Sequence, residues 1–199
     1  MDVDRVTLEG NYVRLEPLSA DEHLAGLQEA AADAAIFDWF ADDYSTPEKM
    51  QTFVADALEA ERENESLPFA TIWQETDEPI GSTRFCAIRP ASRSVEIGWT
   101  WITPEYQRTP ANTEAKYLML RHAFEEWDCV RVEFETAAEN ERARAALDRI
   151  GATEEGVLRK HMLIHGEPED SVYFSIIDDE WPEVRELLTR KLDRSFFQK

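Results

Sequence analysis

The sequence predicts an α+β fold in which helices flank a mixed, mostly antiparallel central sheet of about seven strands. Three observations predict it. Short stretches in which apolar and polar residues alternate, the mark of half-buried strands, recur along the chain. Between them lie longer stretches with apolar residues at i, i+3, i+4 and i+7, several opened by capping residues. Over residues 94–134 the two kinds follow one another as strand, helix, strand, the connection that a parallel pair requires. No linker, repeat or low-complexity segment divides the 199 residues, which are read as a single domain, 1–199.

The elements run in the order βααβββαβαββ, with a further helix at the C-terminal end. Tyr12 to Leu18 alternates as a first strand. Ser19 or Asp21 caps the Ala-rich helix that follows to about Ala34, and Thr46, with Pro47 at the first helical position, opens a second helix to about Asn64. Pro68 to Trp73 and Pro79 to Ile88 are strands joined by a polar turn, and Ser94 to Ile102 completes an antiparallel meander. In that last strand Val95, Ile97, Trp99 and Trp101 are expected on one face, and Glu96, Gly98, Thr100 and Ile102 on the other. The next helix carries Leu120, Ala123, Phe124 and Trp127 on one stripe, and Val130, Val132 and Phe134 then alternate as a strand. Asn140 to Ile150 forms another helix, which Gly151 is placed to end in the left-handed conformation. Strands at about Glu155 to Ile164 and Ser171 to Ile177 meet through His165-Gly166-Glu167-Pro168, and a helix from about Glu180 to Leu192 follows.

A content of 43% hydrophobic and 11% aromatic residues excludes a disordered chain. The formal charge of −21, from 42 acidic against 21 basic residues, repels phosphate backbones and argues against general nucleic-acid binding. Only five of the basic residues are lysines, a composition that looks like adaptation to high salt. From Gln107 to Lys160 the imbalance almost disappears, with nine basic residues against eleven acidic ones. Cys86 and Cys129 form no C-x-x-C pair and are expected as reduced, buried thiols. The acidic Met1-Asp2-Val3-Asp4 is unlike an export signal, and no apolar run approaches the roughly 18 residues of a membrane span. A cytoplasmic protein without a membrane partner is therefore expected. No metal is expected: His161 and His165 would lie about 13 Å apart on their strand.

Between Ile102 and the following helix lies Gln107-Arg108-Thr109-Pro110-Ala111-Asn112-Thr113-Glu114-Ala115-Lys116. The first N–H groups of a helix have no intrahelical partner and its dipole leaves that end partly positive, so this junction suits a phosphate. It also reads as an ordinary connection with Thr113 as the cap and Glu114 as a favourable first-turn charge.

Together with Glu96-Ile97-Gly98-Trp99, Asn140-Glu141-Arg142, Gly151-Ala152 and Glu155-Gly156-Val157-Leu158-Arg159-Lys160, this loop makes nearly the whole chain resemble the GCN5-related N-acetyltransferase (GNAT) superfamily. Within it the chain looks most like the RimJ/RimL-type branch, which includes ribosomal-protein N-terminal acetyltransferases. The resemblance implies acetyl-CoA as co-substrate and transfer of acetyl to an amine, on a protein N-terminus or a small molecule, by direct attack on the thioester. It implies a pyrophosphate held at Arg108, Thr109, Pro110, Ala111, Asn112 and Thr113, with Gln107, Asn140 and Arg144 also on the CoA side. Pro110 and Asn112 occupy the two glycine positions of the family loop, and Pro110 has no N–H to give. A proline-set turn followed by Asn can build a similar cradle. Asn140 caps its helix, contacts CoA, or does both.

Such a transfer needs a neutral amine, a donor for the oxyanion and a proton for the thiolate. The resemblance makes Glu96 the candidate base, with a structural carboxylate as the alternative. It places the oxyanion donor among the backbone N–H groups of Trp101, Ile102 and Thr103, where the family's strands splay apart. Ala143 stands where many relatives carry serine, and no tyrosine follows before Tyr173, so the proton donor stays open. The rival reading is a catalytically weak CoA-binding sensor or interaction module. Glu133 and Glu135 share a strand face that either binds a cation or is merely solvated, and Trp99 and Trp101 are core or acyl-pocket walls. The oligomeric state is open, a dimer included.

Overall fold

A computed structural model describes residue 1 and residues 3–196. One mixed sheet has the strand order β1-β2-β3-β4-β5-β6-β8-β7. The strands are β1 Leu8–Glu9, β2 Val13–Pro17, β3 Leu67–Trp73, β4 Glu78–Arg89, β5 Ser94–Ile102, β6 Arg131–Ala137, β7 Thr153–Ile164 and β8 Glu167–Ile177. All neighbours are antiparallel except β5 and β6, whose crossover is the helical segment expected between them. The sheet has eight strands where about seven were expected. The added β1 has two residues, paired to Arg14 and Leu15, and is too short to show any periodicity.

Five α-helices flank the sheet: α1 Ala20–Ala30, α2 Pro47–Arg62, α3 Pro110–Arg121, α4 Glu141–Arg149 and α5 Trp181–Phe196. Ser19 caps α1 and Thr46 caps α2, each accepting a first-turn N–H. The first helix stops short of Ala34 because Asp33 accepts from Ala35 N and starts a separate 3₁₀ turn over Ala34–Phe37. A π-helical turn, His122–Glu126, prolongs α3 and carries its apolar stripe on to Trp127. One core lies between the sheet and α3 with α5, including Leu15, Phe69, Phe85, Val95, Ile97, Leu118, Phe134 and Leu188. A second lies against α1, α2 and the 3₁₀ turn, including Leu27, Phe37, Met50, Phe53, Ile72 and Trp101.

The two cores reveal where the expected faces of β5 change over. Val95 and Ile97 belong to the first, yet Trp101 belongs to the second. Between the pairs Arg84↔Gly98 and Ser82↔Trp101, β4 advances by two residues while β5 advances by three. Trp99, at φ 54°, takes up the extra residue. Side chains alternate with period two, so a one-residue bulge reverses every face beyond it. Trp99 and Trp101 therefore join the face of Glu96, while Thr100 and Ile102 join that of Ile97.

Gly81 opposes Ile102 just past this bulge, and a Cβ there would fall well inside contact distance of the Trp101 carbonyl oxygen. Backbone cannot move aside as a flexible side chain can. Gly81→Ala is expected to cost about 1–3 kcal/mol, read as a lower urea midpoint at unchanged m-value.

Helix α3 is tied to the other half of the sheet by one buried carboxylate. Glu114, 2% exposed, accepts from the backbone N–H groups of Asn11, Tyr12 and Val13 at 2.8, 2.6 and 2.7 Å. Its role is to hold the start of β2 against α3, rather than to supply a solvent-facing charge.

Candidate active site

Strands β5 and β6 pair only over Ser94–Glu96 and Arg131–Glu133. Both continue beyond, to Ile102 and Ala137, without pairing to each other. The bulge at Trp99 bends β5 away at this point. The result is a fork with Thr100 on one side and Phe134 on the other. Lys116 of α3 reaches into it, donating from Nζ to Thr100 Oγ1 at 2.6 Å, with Nζ 5.8 Å from the centre of the Phe134 ring. Burial pulls the Lys116 ammonium down to about 7, against the opposing effect of Cys86 and Glu96.

Of the three backbone donors expected at the oxyanion, Thr103 N–H is committed to Ile80 O at 2.8 Å. Antiparallel alternation then turns the peptide groups of Ile102 away from β4 and toward the fork. The Ile102 carbonyl accepts there from Gln107 Nε2 at 2.9 Å. Trp101 has its indole in the second core, with ring centres 5.6 Å from Phe37 and 6.4 Å from Phe53.

Glu96 lies at the base of the fork, on the face shared with Trp99. Cys86, opposite it on β4, gives Glu96 a hydrogen bond. Burial, then the neighbouring Glu135 and Glu133, raise the Glu96 carboxyl to about 7. Burial likewise raises Cys86, with Glu96 adding to the effect, so the thiol stays protonated. Glu133 is not the solvated residue of a polar face. It is buried, accepting from Arg89 Nη1 at 2.6 Å and from Arg131 Nε at 3.0 Å. Glu135 accepts from the Tyr173 hydroxyl at 3.0 Å, and burial together with that carboxylate raises the Tyr173 pKa.

At the α3 terminus the N-cap is Thr109, not Thr113, which lies inside the helix. Thr109 Oγ1 accepts from Ala111 N at 3.2 Å and donates to Tyr106 O at 2.7 Å. A prolyl residue at the first helical position fixes the cap one residue earlier, since it needs no partner for a missing N–H. Arg108 enters the turn at φ 61°. Asn112 Oδ1 is buried without a hydrogen-bond partner. Gln107 Oε1 accepts from Arg142 Nη1 at 2.9 Å and so links the loop to α4.

Asn140 Oδ1 caps α4 through Ala143 N at 3.1 Å. Arg144 donates to Ala138 O and Glu154 Oε2, each at 3.0 Å, which binds α4 to the sheet. Ile102, Gln107 and the Arg108–Asn112 turn thus gather at the far end of β5, Glu96 stands near its start at the base of the fork, and Arg144 is held by other partners. Lys116, Cys86 and Arg84 join the site without having been assigned to it from the sequence. A lysine on the stripe Lys116, Leu120, Ala123, Phe124 was the signal available for the first of them. Among the described residues no group of three or more His, Cys, Asp or Glu could hold a metal ion, and no helix is long and apolar enough to cross a membrane.

Residues 13–153 match the family model described as an acetyltransferase (GNAT) domain. The chain is 32% identical over 177 residues to the Bacillus subtilis protein named "Probable N-acetyltransferase YjcK", covering 85% of this chain and 96% of that protein. It is 38% identical over 90 residues to "Putative ribosomal N-acetyltransferase YdaF" of the same organism, a match spanning 45% of this chain and 49% of YdaF. The crystal structure of a GCN5-related N-acetyltransferase from Brucella melitensis superimposes with a TM-score of 0.88 at 31% identity, covering 94% of this chain and 85% of that one. A family model spanning well over half the chain, a full-length relative and a matching fold agree with the site's architecture: the chain belongs to the GNAT family of acetyltransferases.

Proposed function

We propose that this acetyltransferase takes acetyl-CoA as its donor and acetylates a primary amine, on a peptide N-terminus or a small molecule. The observation that carries the reading is the fork between β5 and β6, with Glu96 buried at its base and the α3 terminus at its open end. The residues fit such a donor. Pro110 has no N–H and Ala111 N–H is bonded to Thr109, which leaves the N–H groups of Arg108, Thr109 and Asn112 as donors to a pyrophosphate. Asn112 Oδ1, buried beside them without a hydrogen-bond partner, is a further polar atom without a role inside the protein.

When bound, acetyl-CoA supplies an acyl carbon activated by its thioester; the amine nitrogen bonds to that carbon as the carbon–sulfur bond breaks. Glu96 takes the proton from the amine, directly or through water, because a carboxylate with a pKa near 7 is both present and basic enough at neutral pH. Ile102 N–H, directed into the fork about six strand residues from Glu96, is free to pair with the pantetheine arm as it passes toward that carboxylate. Lys116, at the fork and titrating near 7, is the described group placed to return a proton to the thiolate.

Thiol release from acetyl-CoA across a panel of amines and peptides tests this directly. Acceptor-dependent release is expected, and it should be lost when CoA is displaced from the fork. Tight CoA binding with no release across the panel would instead favour a sensor or interaction module.

A further inference from the structure

Arg84 is a buried cation without a counterion. It is 6% exposed, its Nε has no hydrogen-bond partner, and among the described residues no carboxylate lies within ion-pair distance of it. Its guanidinium packs 4.4 Å from the centre of the Trp99 ring and 5.0 Å from that of Phe53. Burial lowers its pKa to about 10, so it remains charged at neutral pH. Removing an arginine from water without a partner costs several kcal/mol, and protein interiors ordinarily supply the missing carboxylate. Asp56 contributes only at longer range and is itself exposed.

The position of this charge relates it to the reacting centre. Arg84 lies opposite Gly98, and Cys86, next along the same face, lies opposite Glu96. A side chain at Gly98 would run into Glu96 Oε1 and Cys86 Sγ, so its absence lets the Glu96 carboxyl lie over the residue that faces Arg84. Cross-strand and same-face neighbours are about 5–7 Å apart. Trp99, 41% exposed, covers the guanidinium on the side toward solvent, with Phe40 beside it.

We propose that Arg84 is the specificity residue of the acceptor site and binds a carboxylate carried by the acceptor close to its amine. The inference rests on the acetyl-transfer reading and names the acceptor class: a zwitterionic amine whose nitrogen approaches Glu96 while its carboxylate pairs with Arg84. An amino acid's own carboxylate and an acidic residue at the start of a peptide offer the same chemistry.

The test compares matched acceptors: glutamate against glutamine amide, which lacks both of its carboxylates, and peptides beginning with Glu or Asp against those beginning with Gln or Asn. The wild type should prefer each carboxylate by about 10–100-fold in kcat/KM, the range of a charge-assisted arginine pair. The free amino acids and the peptides separate the two sources. Arg84→Met, which fills the same space between the rings, should bring the ratio near one with acetyl-CoA affinity unchanged and melting temperature not lowered. Arg84→Lys should keep part of the preference. A ratio near one in the wild type, or one that survives in Arg84→Met, overturns the proposal. Saturation-transfer NMR with glutamate and glutamine amide decides the question without turnover. Selective binding of glutamate that is lost in Arg84→Met supports it, and equal or absent binding overturns it. Failure of acetyl-CoA to bind would count against acetyl transfer instead.

Discussion

Glu96→Gln is expected to lower kcat by about 10²–10⁴-fold while leaving acetyl-CoA affinity close to wild type. The amide has nearly the same shape but cannot accept the amine's proton. Because the Glu96 carboxyl and the Lys116 ammonium both titrate near 7, wild-type kcat should peak near that value, and its rising limb on the acid side should vanish in the variant. Glu133, Glu135, Cys86, Arg89 and Lys116 all contribute charge or hydrogen bonds to this neighbourhood. Lys116→Met is therefore the control, which should retain the limb due to Glu96. A profile unchanged by Glu96→Gln would remove it as the base.

The same shift has a stability consequence of fixed sign. In the folded protein Glu96 keeps its proton up to about pH 7, whereas in the unfolded chain it releases it near pH 4.5. Its contribution is therefore neutral below about pH 4.5 and becomes increasingly unfavourable as pH rises toward 7. Glu96→Gln should be more stable than wild type at neutral pH, by an amount on the order of 2 kcal/mol, with the gain absent near pH 4.5.

The largest loss of stability is expected from Glu114→Ala. Three backbone N–H groups, those of Asn11, Tyr12 and Val13, would lose their acceptor at one stroke. Leaving such groups buried and unpaired costs about 3–5 kcal/mol, roughly 10 °C or more of melting temperature in a chain of this size. Glu114→Gln retains one acceptor oxygen and should lose less. Gly10 supplies a second check, since a Cβ at that position would run into the Glu114 carboxyl carbon. Gly10→Ala should destabilise the wild type but cost much less in the Glu114→Ala background, a coupling that thermal melts of the double-mutant cycle measure directly.

Much of the fold was legible because its signals are local. Ser19 and Thr46 cap the helices they were expected to cap, β5 has the expected bounds, and Gly151 follows α4 with φ 91°. The eighth strand was not legible, since two residues carry no period. Nor was the exchange of faces at Trp99, because an alternating pattern looks the same with or without a bulge until the partner strand fixes the register. The site divides in the same way. Its loop, its strand and Glu96 stand in one continuous stretch of sequence, whereas Glu114 acts on residues about a hundred positions away. Arg84 and Cys86 reach Glu96 only through the pairing of β4 with β5. A single charged residue in a strand announces nothing about whether a partner will be found for it.

The central claim is that the β5/β6 fork and the α3 terminus hold the acetyl donor. A crystal structure with CoA bound tests it most directly. The pyrophosphate is predicted within hydrogen-bond distance of the Arg108, Thr109 and Asn112 N–H groups, with the pantetheine arm entering the fork past Ile102 and the thiol directed toward Glu96. CoA lodged elsewhere, for instance in the concavity beside α4 lined by Arg144, Asp148, Glu154 and Phe174, would contradict it.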